Sequence, residues 1–137
     1  MRLPEASINI SVPFYDIDAM NIAWHGNYLK YFEVARCNLL QQIAYSYGEM
    51  KESGYAWPII EVHVRYIRPT RFGQDIAVRA RIVEYELRLK IDYLITDVGS
   101  GERLTRGHSV QVAVDLATKE MLFASPLILY RKLGIDP

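Results

Sequence analysis

The stretch that decides the fold is residues 26–43, GNYLKYFEVARCNLLQQI. Its apolar side chains recur at spacings of four, three, four and four residues, which places them on one face of an α-helix. They are Tyr28, Phe32, Ala35, Leu39 and Ile43. Asn27 is a suitable N-cap residue after Gly26, and we predict from there a helix of about twenty residues, ~30 Å long. A helix with this much apolar surface has to be covered by the rest of the chain.

The rest of the chain predicts mostly β-strands. A first strand precedes the helix at residues 6–15, where Ile8, Ile10, Val12 and Phe14 alternate with other residues. After the helix, a helical turn at 46–52 leads to further strands and a short final helix. The predicted strands cover residues 60–66, 76–82, 87–95, 110–116 and 121–124, and the final helix runs from Pro126 to Lys132. Turn-forming residues separate the strands, so we expect tight hairpins and a mainly antiparallel sheet.

This order of elements predicts an α+β fold in which a curved, mainly antiparallel sheet wraps one long central helix. With 137 residues, the chain is expected to form a single domain, 1–137. The free edge and the outer face of such a sheet favour pairing with a second copy. We therefore expect a homo-oligomer, and the sequence leaves a dimer and a tetramer open.

The charge balance and the single cysteine narrow the functional classes. Lys and Arg total 16, and Asp and Glu total 16, so the chain as a whole gives no argument for nucleic acid or an anionic membrane surface. No stretch approaches the ~20 apolar residues of a membrane span. Cys37 has no partner for an internal disulfide, which favours a reducing compartment. We expect a cytoplasmic protein without membrane insertion or nucleic-acid binding.

Two carboxylates and a histidine stand where the first strand crosses to the helix. Asp18 follows Asp16 at the end of the strand, and His25 precedes the helix. A carboxylate can attack a carbonyl carbon or deprotonate water, and the free amides at a helix start are preorganised donors for an oxyanion. These groups together can hydrolyse an activated acyl bond. Asp16 is expected to be a structural partner of loop amides, and no metal-type Cys/His spacing is present.

Three short motifs carry a family resemblance: residues 16–19 (DIDA), 24–28 (WHGNY) and 31–36 (YFEVAR). Together they resemble the hotdog thioesterases, in particular the 4-hydroxybenzoyl-CoA thioesterase family and its acyl-CoA thioesterase relatives of the Tol–Pal gene neighbourhood. Residues 64–75 resemble that family's second strand and the turn after it. The resemblance implies a hotdog fold, hydrolysis of acyl-CoA to free CoA and a carboxylic acid, no metal or redox cofactor, and active sites between two subunits.

The resemblance also implies roles for particular residues. Asp18 matches the family's catalytic aspartate, a nucleophile or a general base on water. His25 matches the position whose backbone N–H is the oxyanion donor, and Gly26 lies beside it at the helix N-terminus. Many relatives carry glycines where this chain has Met20 and Asn21, although asparagine can still adopt a left-handed backbone.

Substrate contacts are expected from four further residues. Trp24 and Tyr28 flank the His-Gly-Asn segment, and Arg88 and Lys90 lie near a strand where some members place basic residues that meet CoA phosphates. The other arginines are expected to cover a solvated sheet face, with one or two of them on a nucleotide phosphate.

Several alternatives stay open at this point. The same fold supports a hydratase or dehydratase acting on an acyl thioester, or a protein that binds acyl thioesters without turnover. The sequence does not select the acyl group, decide between CoA and an acyl carrier protein, or separate a covalent anhydride from activated water at Asp18. Elsewhere, Glu33 and Arg36 are spaced for a helix salt bridge, and His63 and His108 are expected at the surface or an interface.

Overall fold

Five antiparallel strands and one long helix form the body of the protein, which a computed structural model describes over residues 2–137. In chain order the elements are β1 (Glu5–Ser11), α1 (Asn27–Gln42), α2 (Tyr47–Glu52), β2 (Tyr55–Ala56), β3 (Ile59–Tyr66), β4 (Asp75–Glu84), β5 (Leu89–Asp97), β6 (Arg103–Gln111), β7 (Val114–Asp115) and α3 (Leu127–Leu133). Within residues 2–137, no helix combines the length and the apolar character that crossing a membrane requires.

The main sheet has the strand order β1-β4-β5-β6-β3, and every neighbouring pair is antiparallel. Tight hairpins join β4 to β5 and β5 to β6, as predicted. The expected hairpin between β3 and β4 is wrong, because β3 pairs with β6 at the far edge and the chain crosses the end of the sheet to reach β4. The α+β architecture with one long helix on one sheet is confirmed.

The helix α1 packs its predicted apolar face on the inner face of the sheet. Phe32 stacks on Tyr93 of β5 with the ring centroids 4.4 Å apart and the planes within 7°. Gly107 of β6 lies next to this pair, and a Cβ atom there would meet both the Phe32 ring and the carbonyl oxygen of His63. Close packing of an aromatic side chain against the sheet therefore requires glycine at this position.

Two predicted boundaries near the helix are corrected. The first strand ends at Ser11, not residue 15, because Pro13 has no N–H for the ladder and Phe14–Asp16 form a 3₁₀ turn. The helix has 16 residues, about 24 Å, rather than about twenty. Gly26, not Asn27, is the N-cap residue, and at the other end Ala44 takes a left-handed backbone with φ 56° that stops the helix.

The largest error concerns β6, which begins at Arg103 rather than at residue 110 and ends at Gln111. Its inner face carries Thr105, Gly107 and Ser109, which are polar or small although they face the core. An alternation of apolar residues is absent there, so the pattern did not identify the strand. The predicted strand at 121–124 is also wrong, since Met121 makes only an isolated bridge to Val114.

Candidate active site

A tight turn presents Asp18 next to the start of α1. The Asp18 N–H donates to the carbonyl of Ile22 at 2.9 Å, and Ile17 and Ala23 form an antiparallel bridge just outside it. Asn21 closes the turn with φ 65°, a left-handed conformation that asparagine adopts more readily than most residues. The turn therefore folds without glycine and places residues 16–18 opposite residues 22–24.

Asp16 anchors this turn to the helix. Its side chain is 3% exposed and accepts hydrogen bonds from Lys30 Nζ at 2.6 Å and from Tyr31 Oη at 2.8 Å. Its backbone carbonyl accepts from the Trp24 N–H and from Asn27 Nδ2, both at 2.9 Å. Asp16 is thus the expected structural partner, although its carboxylate bonds to helix side chains rather than to loop amides.

Asp18 has a different environment. It is half-buried, and its Oδ1 accepts a hydrogen bond from the Met20 N–H at 2.8 Å. In the described part of the chain no other group donates to this carboxylate, so Oδ2 is free to accept a proton or to attack. The single bond from Met20 orients the carboxylate without occupying both oxygens.

The backbone before α1 supplies free donors. Among residues 2–137, no acceptor pairs with the N–H of His25 or of Gly26. The His25 carbonyl accepts from Tyr66 Oη at 2.9 Å, and this bond fixes the peptide unit that carries the Gly26 N–H. Burial raises the pKa of Tyr66 above its ordinary value, so this hydroxyl remains a donor over the neutral range.

A cleft of about 410 Å³ joins these groups. Its lining includes Asp18, His25 and Tyr28, so the structure brings together three residues that the sequence had singled out. The rest of the lining comes from the turn and from the end of β3: Met20, Ile22, Ala23, Tyr66, Ile67, Arg68 and Pro69. The residues from β3 were missed as site residues because their alternation only indicated a strand, although the motif at 64–75 lay over them.

The remaining predicted site residues lie elsewhere. Trp24 is 52% exposed, and its ring covers Gly26, where a Cβ atom would collide with it. Arg88 bonds to Glu84 at 3.1 Å, and Lys90 lies on the outer face of the sheet. Within one protomer, neither basic residue lines the cleft of Asp18.

Two predictions outside the cleft have clear outcomes. Glu33 and Arg36 form the expected salt bridge, and the buried Arg36 guanidinium also donates to Tyr47 Oη at 3.1 Å. His63 and His108 lie on the outer sheet face, where their rings stack with centroids 5.4 Å apart, and His108 bonds to Glu61 at 2.9 Å. His108 is in the middle of β6 rather than at a strand start.

Comparisons with known proteins agree with this fold. Residues 12–131 match the family model described as the thioesterase-like superfamily. A curated relative from Bacillus subtilis, named "Putative acyl-CoA thioesterase YneP", is 30% identical over 76 residues, which are 56% of this chain and 55% of that protein. The alignment thus spans little more than half of the relative's length.

Solved structures resemble nearly the whole chain. The DHNA-CoA thioesterase from Staphylococcus aureus superposes with a TM-score of 0.78 at 25% identity, covering 93% of this chain and 82% of that one. A 1,4-dihydroxy-2-naphthoyl-CoA thioesterase from Synechocystis gives a TM-score of 0.83 at 18% identity, covering 95% and 96%. The second likeness is a likeness of fold, and it agrees with the predicted hotdog architecture.

Proposed function

The chain belongs to the thioesterase-like superfamily, and we propose that it is an enzyme that hydrolyses acyl-CoA thioesters with Asp18 as the reacting carboxylate. The observation that carries the proposal is the shared cleft: a carboxylate with one free oxygen and a backbone N–H without an acceptor both belong to residues that line it. The relative named as an acyl-CoA thioesterase supports CoA as the thiol. The more specific family and the Tol–Pal neighbourhood stay predictions, as does the cytoplasmic location.

The proposed chemistry uses three groups of this chain. Asp18 either attacks the thioester carbonyl carbon, which gives a mixed anhydride that water then opens, or removes a proton from water that attacks the same carbon. The His25 N–H donates to the oxyanion that forms, with the Gly26 N–H beside it. The C–S bond breaks and releases CoA thiolate, which takes up a proton. No step requires a metal or redox cofactor.

A thiol-release screen tests this function. Purified protein is assayed against short, long and aromatic acyl-CoAs, and the best acyl group is then offered on an acyl carrier protein. We expect turnover of at least one acyl-CoA class and its loss in Asp18→Asn. Tight binding of acyl-CoA without thiol release would establish the non-catalytic alternative, and addition of water to an enoyl-CoA would establish a hydratase.

We also propose that the active form is a homodimer joined at β3. This strand lies at the edge of the sheet, where its backbone can pair with another strand. Its inner-face side chains Val62 and Tyr66 are 42% and 49% exposed, although an inner face is expected to be covered. A second copy that pairs through β3 would cover them and place its own residues next to the cleft, which Tyr66 lines.

Light scattering after size-exclusion chromatography tests the dimer. Val62→Lys places a charge in the proposed interface and is expected to yield monomers. Val98→Lys is the matched control, because Val98 is equally exposed, at 48%, but lies in the hairpin between β5 and β6. Dimers or tetramers that persist in Val62→Lys, or monomers in the wild type, would exclude an interface at β3.

A further inference from the structure

The outer face of the sheet concentrates positive charge in a chain that is neutral overall. A concave region of about 510 Å³ lies on this face. The cations that line it come from four strands: Arg65, Arg79, Arg81, Lys90, Arg103 and Arg106. One carboxylate, Asp92, shares the lining. The chain carries 16 basic and 16 acidic residues, but their uneven distribution leaves this surface strongly basic.

The strand register places like charges next to each other. Arg65 of β3 is directly opposite Arg106 of β6, and like charges in that position destabilise a sheet. Arg106 in turn is opposite Leu94, and Leu94 is opposite Arg79. These three arginines thus form one row across the sheet, about 14 Å wide at ~4.8 Å per strand.

The basic residues of this region form no direct ion pairs within the described residues. In residues 2–137, none of the six basic residues that line this region makes a salt bridge; Asp92 shares the lining, and Glu61, which bonds to His108, lies close enough to Lys90 for their charges to interact. Elsewhere Arg2, Arg36, Arg68 and Arg88 all pair with a glutamate. The row of Arg65, Arg106 and Arg79 therefore combines two directly opposed like charges with the absence of a salt bridge, which favours an external anion.

The shape of the region indicates a small ligand. Leu94 and the backbone at Gly107 belong to its lining together with the arginines. A volume of about 510 Å³ is in the range of sites for small molecules and cofactors. Planar guanidinium groups match the geometry of phosphate oxygens.

This region is separate from the cleft of Asp18. Tyr66 packs against Tyr28 of α1 on the inner side of the sheet, whereas Arg65, the preceding residue, lines the outer region. Consecutive residues of a strand point to opposite faces. The sheet itself therefore lies between the two sites within a protomer.

From these observations we infer that the outer face of β3–β6 is a binding site for a phosphorylated nucleotide, whose phosphates bridge Arg65, Arg106 and Arg79 and whose base covers Leu94. The nucleotide has two sources, the 3′,5′-bisphosphorylated adenosine half of a CoA molecule or a free nucleotide. Both present the same chemistry to the arginine row. Occupation of the site relieves the repulsion between Arg65 and Arg106.

Titration calorimetry on the full chain, without thioester, tests the site. The probes are adenosine 3′,5′-bisphosphate and ATP, and the variant is Arg65→Gln/Arg106→Gln. We expect saturable binding with one site per chain and at least ~10-fold weaker binding in the variant, because charge-assisted bonds to phosphate are lost. The matched control, Lys119→Gln/Arg131→Gln, removes two exposed charges away from this face and is expected to bind like the wild type.

Competition separates the two sources. If the ligand is part of CoA, CoA displaces adenosine 3′,5′-bisphosphate and ATP binds at least ~10-fold more weakly; if it is a free nucleotide, ATP binds and CoA does not displace it. Either pattern supports the site. Equal weakening by both double variants would show non-specific attraction and overturn the inference. So would binding of an RNA oligonucleotide when neither nucleotide binds. These results do not depend on thioester hydrolysis.

Discussion

The turn around Asp16 and the cleft around Asp18 place two identical side chains, two residues apart, in opposite situations. The Asp16 carboxylate is buried and both of its oxygens accept a hydrogen bond, from Lys30 and from Tyr31. The Asp18 carboxylate is half-buried in a cleft and accepts one bond, from the Met20 N–H. One holds the loop on the helix, and the other keeps an oxygen free for chemistry.

The contrast teaches that partners, not residue type, separate a structural carboxylate from a reactive one. A buried charge is tolerated only when its hydrogen bonds are made, and a carboxylate with every oxygen occupied is a poor base or nucleophile. The same loop needs both kinds, because the cleft of Asp18 is shaped by the loop that Asp16 fixes. Exchanging each Asp for Asn separates these two contributions.

The largest expected effect is on turnover in Asp18→Asn. The amide oxygen of Asn can still accept the Met20 N–H, so the turn is expected to fold with its free energy of unfolding changed by less than ~0.5 kcal/mol. The free carboxylate oxygen is lost, and kcat for the best acyl-CoA is expected to fall by about 10³-fold. Steady-state thiol release and urea unfolding measure the two quantities.

Wild-type turnover by a folded Asp18→Asn variant would refute the role of Asp18. A fall in turnover accompanied by a comparable loss of stability would instead assign Asp18 to the same structural class as Asp16. Asp16 and Asp18 would then not differ as a structural and a reactive carboxylate.

Asp16→Asn is expected to show the reverse profile, with the main effect on stability. The substitution removes the charge that faces Lys30 and leaves one of the two donors, Lys30 or Tyr31, without an acceptor. Hydrogen bonds to charged groups contribute about 1.5–3 kcal/mol each, and since Lys30 is half-exposed we expect a loss of about 2 kcal/mol. The midpoint of urea unfolding at constant m-value measures it.

A matched variant, Lys30→Met, keeps the aliphatic stem and removes the ammonium group. It is expected to cost at least as much as Asp16→Asn, because it leaves the buried Asp16 carboxylate charged with only the Tyr31 hydrogen bond. Equal stability of Asp16→Asn and the wild type would show that the bonds to Asp16 are not what holds the turn.

This pair of residues also shows what sequence could predict. The sequence predicts that both carboxylates lie just before an amphipathic helix. It also predicts a structural role for Asp16, because that residue follows the end of a strand. The hydrogen-bond partners of Asp16, which are Lys30 and Tyr31, could not be predicted from the sequence. Lys30 is on the polar side of α1, and polar helix positions usually face solvent. Contacts between elements distant in sequence leave no local pattern.

The fold shows the same limit. Period-two alternation located β3, β4 and β5, and helical spacing located α1, because in each case one face is apolar. It failed for β6, where Thr105, Gly107 and Ser109 face the core: Gly107 is needed for the packing of Phe32, and Ser109 pairs with the Tyr93 hydroxyl at 2.7 Å. A search for alternating hydrophobic residues therefore does not detect a strand whose buried side chains are polar or small.

A smaller effect is expected from Tyr66→Phe, which alters the cleft but not its carboxylate. The ring can still pack edge-on against Tyr28, at 5.0 Å between centroids, while the bond to the His25 carbonyl is lost. A neutral hydrogen bond contributes about 1 kcal/mol, so kcat is expected to fall by about 5-fold through loosened backbone donors, with KM nearly unchanged. Steady-state thiol release gives kcat and KM separately and so shows which of the two changes.

Tyr85→Phe is the control for Tyr66→Phe, since the Tyr85 hydroxyl makes no hydrogen bond in the described residues and lies outside the cleft. It is expected to match the wild type. A rise in KM with unchanged kcat in Tyr66→Phe would mean that Tyr66 contacts the substrate and does not act through His25.

The smallest expected effect is a pH dependence of the Asp16 anchor at alkaline pH. Burial raises the pKa of Tyr31 above its ordinary value, and the hydrogen bond to Asp16 and the charge of that carboxylate raise it further. A raised pKa in the folded state stabilises the protein below the unfolded value of about 10. That stability is lost as the pH rises above it, because the unfolded chain then releases a proton that the folded chain retains.

The difference in unfolding free energy between the wild type and Tyr31→Phe isolates this contribution from the other tyrosines. We expect it to be about 1 kcal/mol at pH 8 and to shrink steadily between pH 10 and 11, as measured by urea unfolding at each pH. A difference that is flat through this range would mean that Tyr31 does not hold its proton against Asp16. The closed network that distinguishes Asp16 from Asp18 would then lack one of its two bonds.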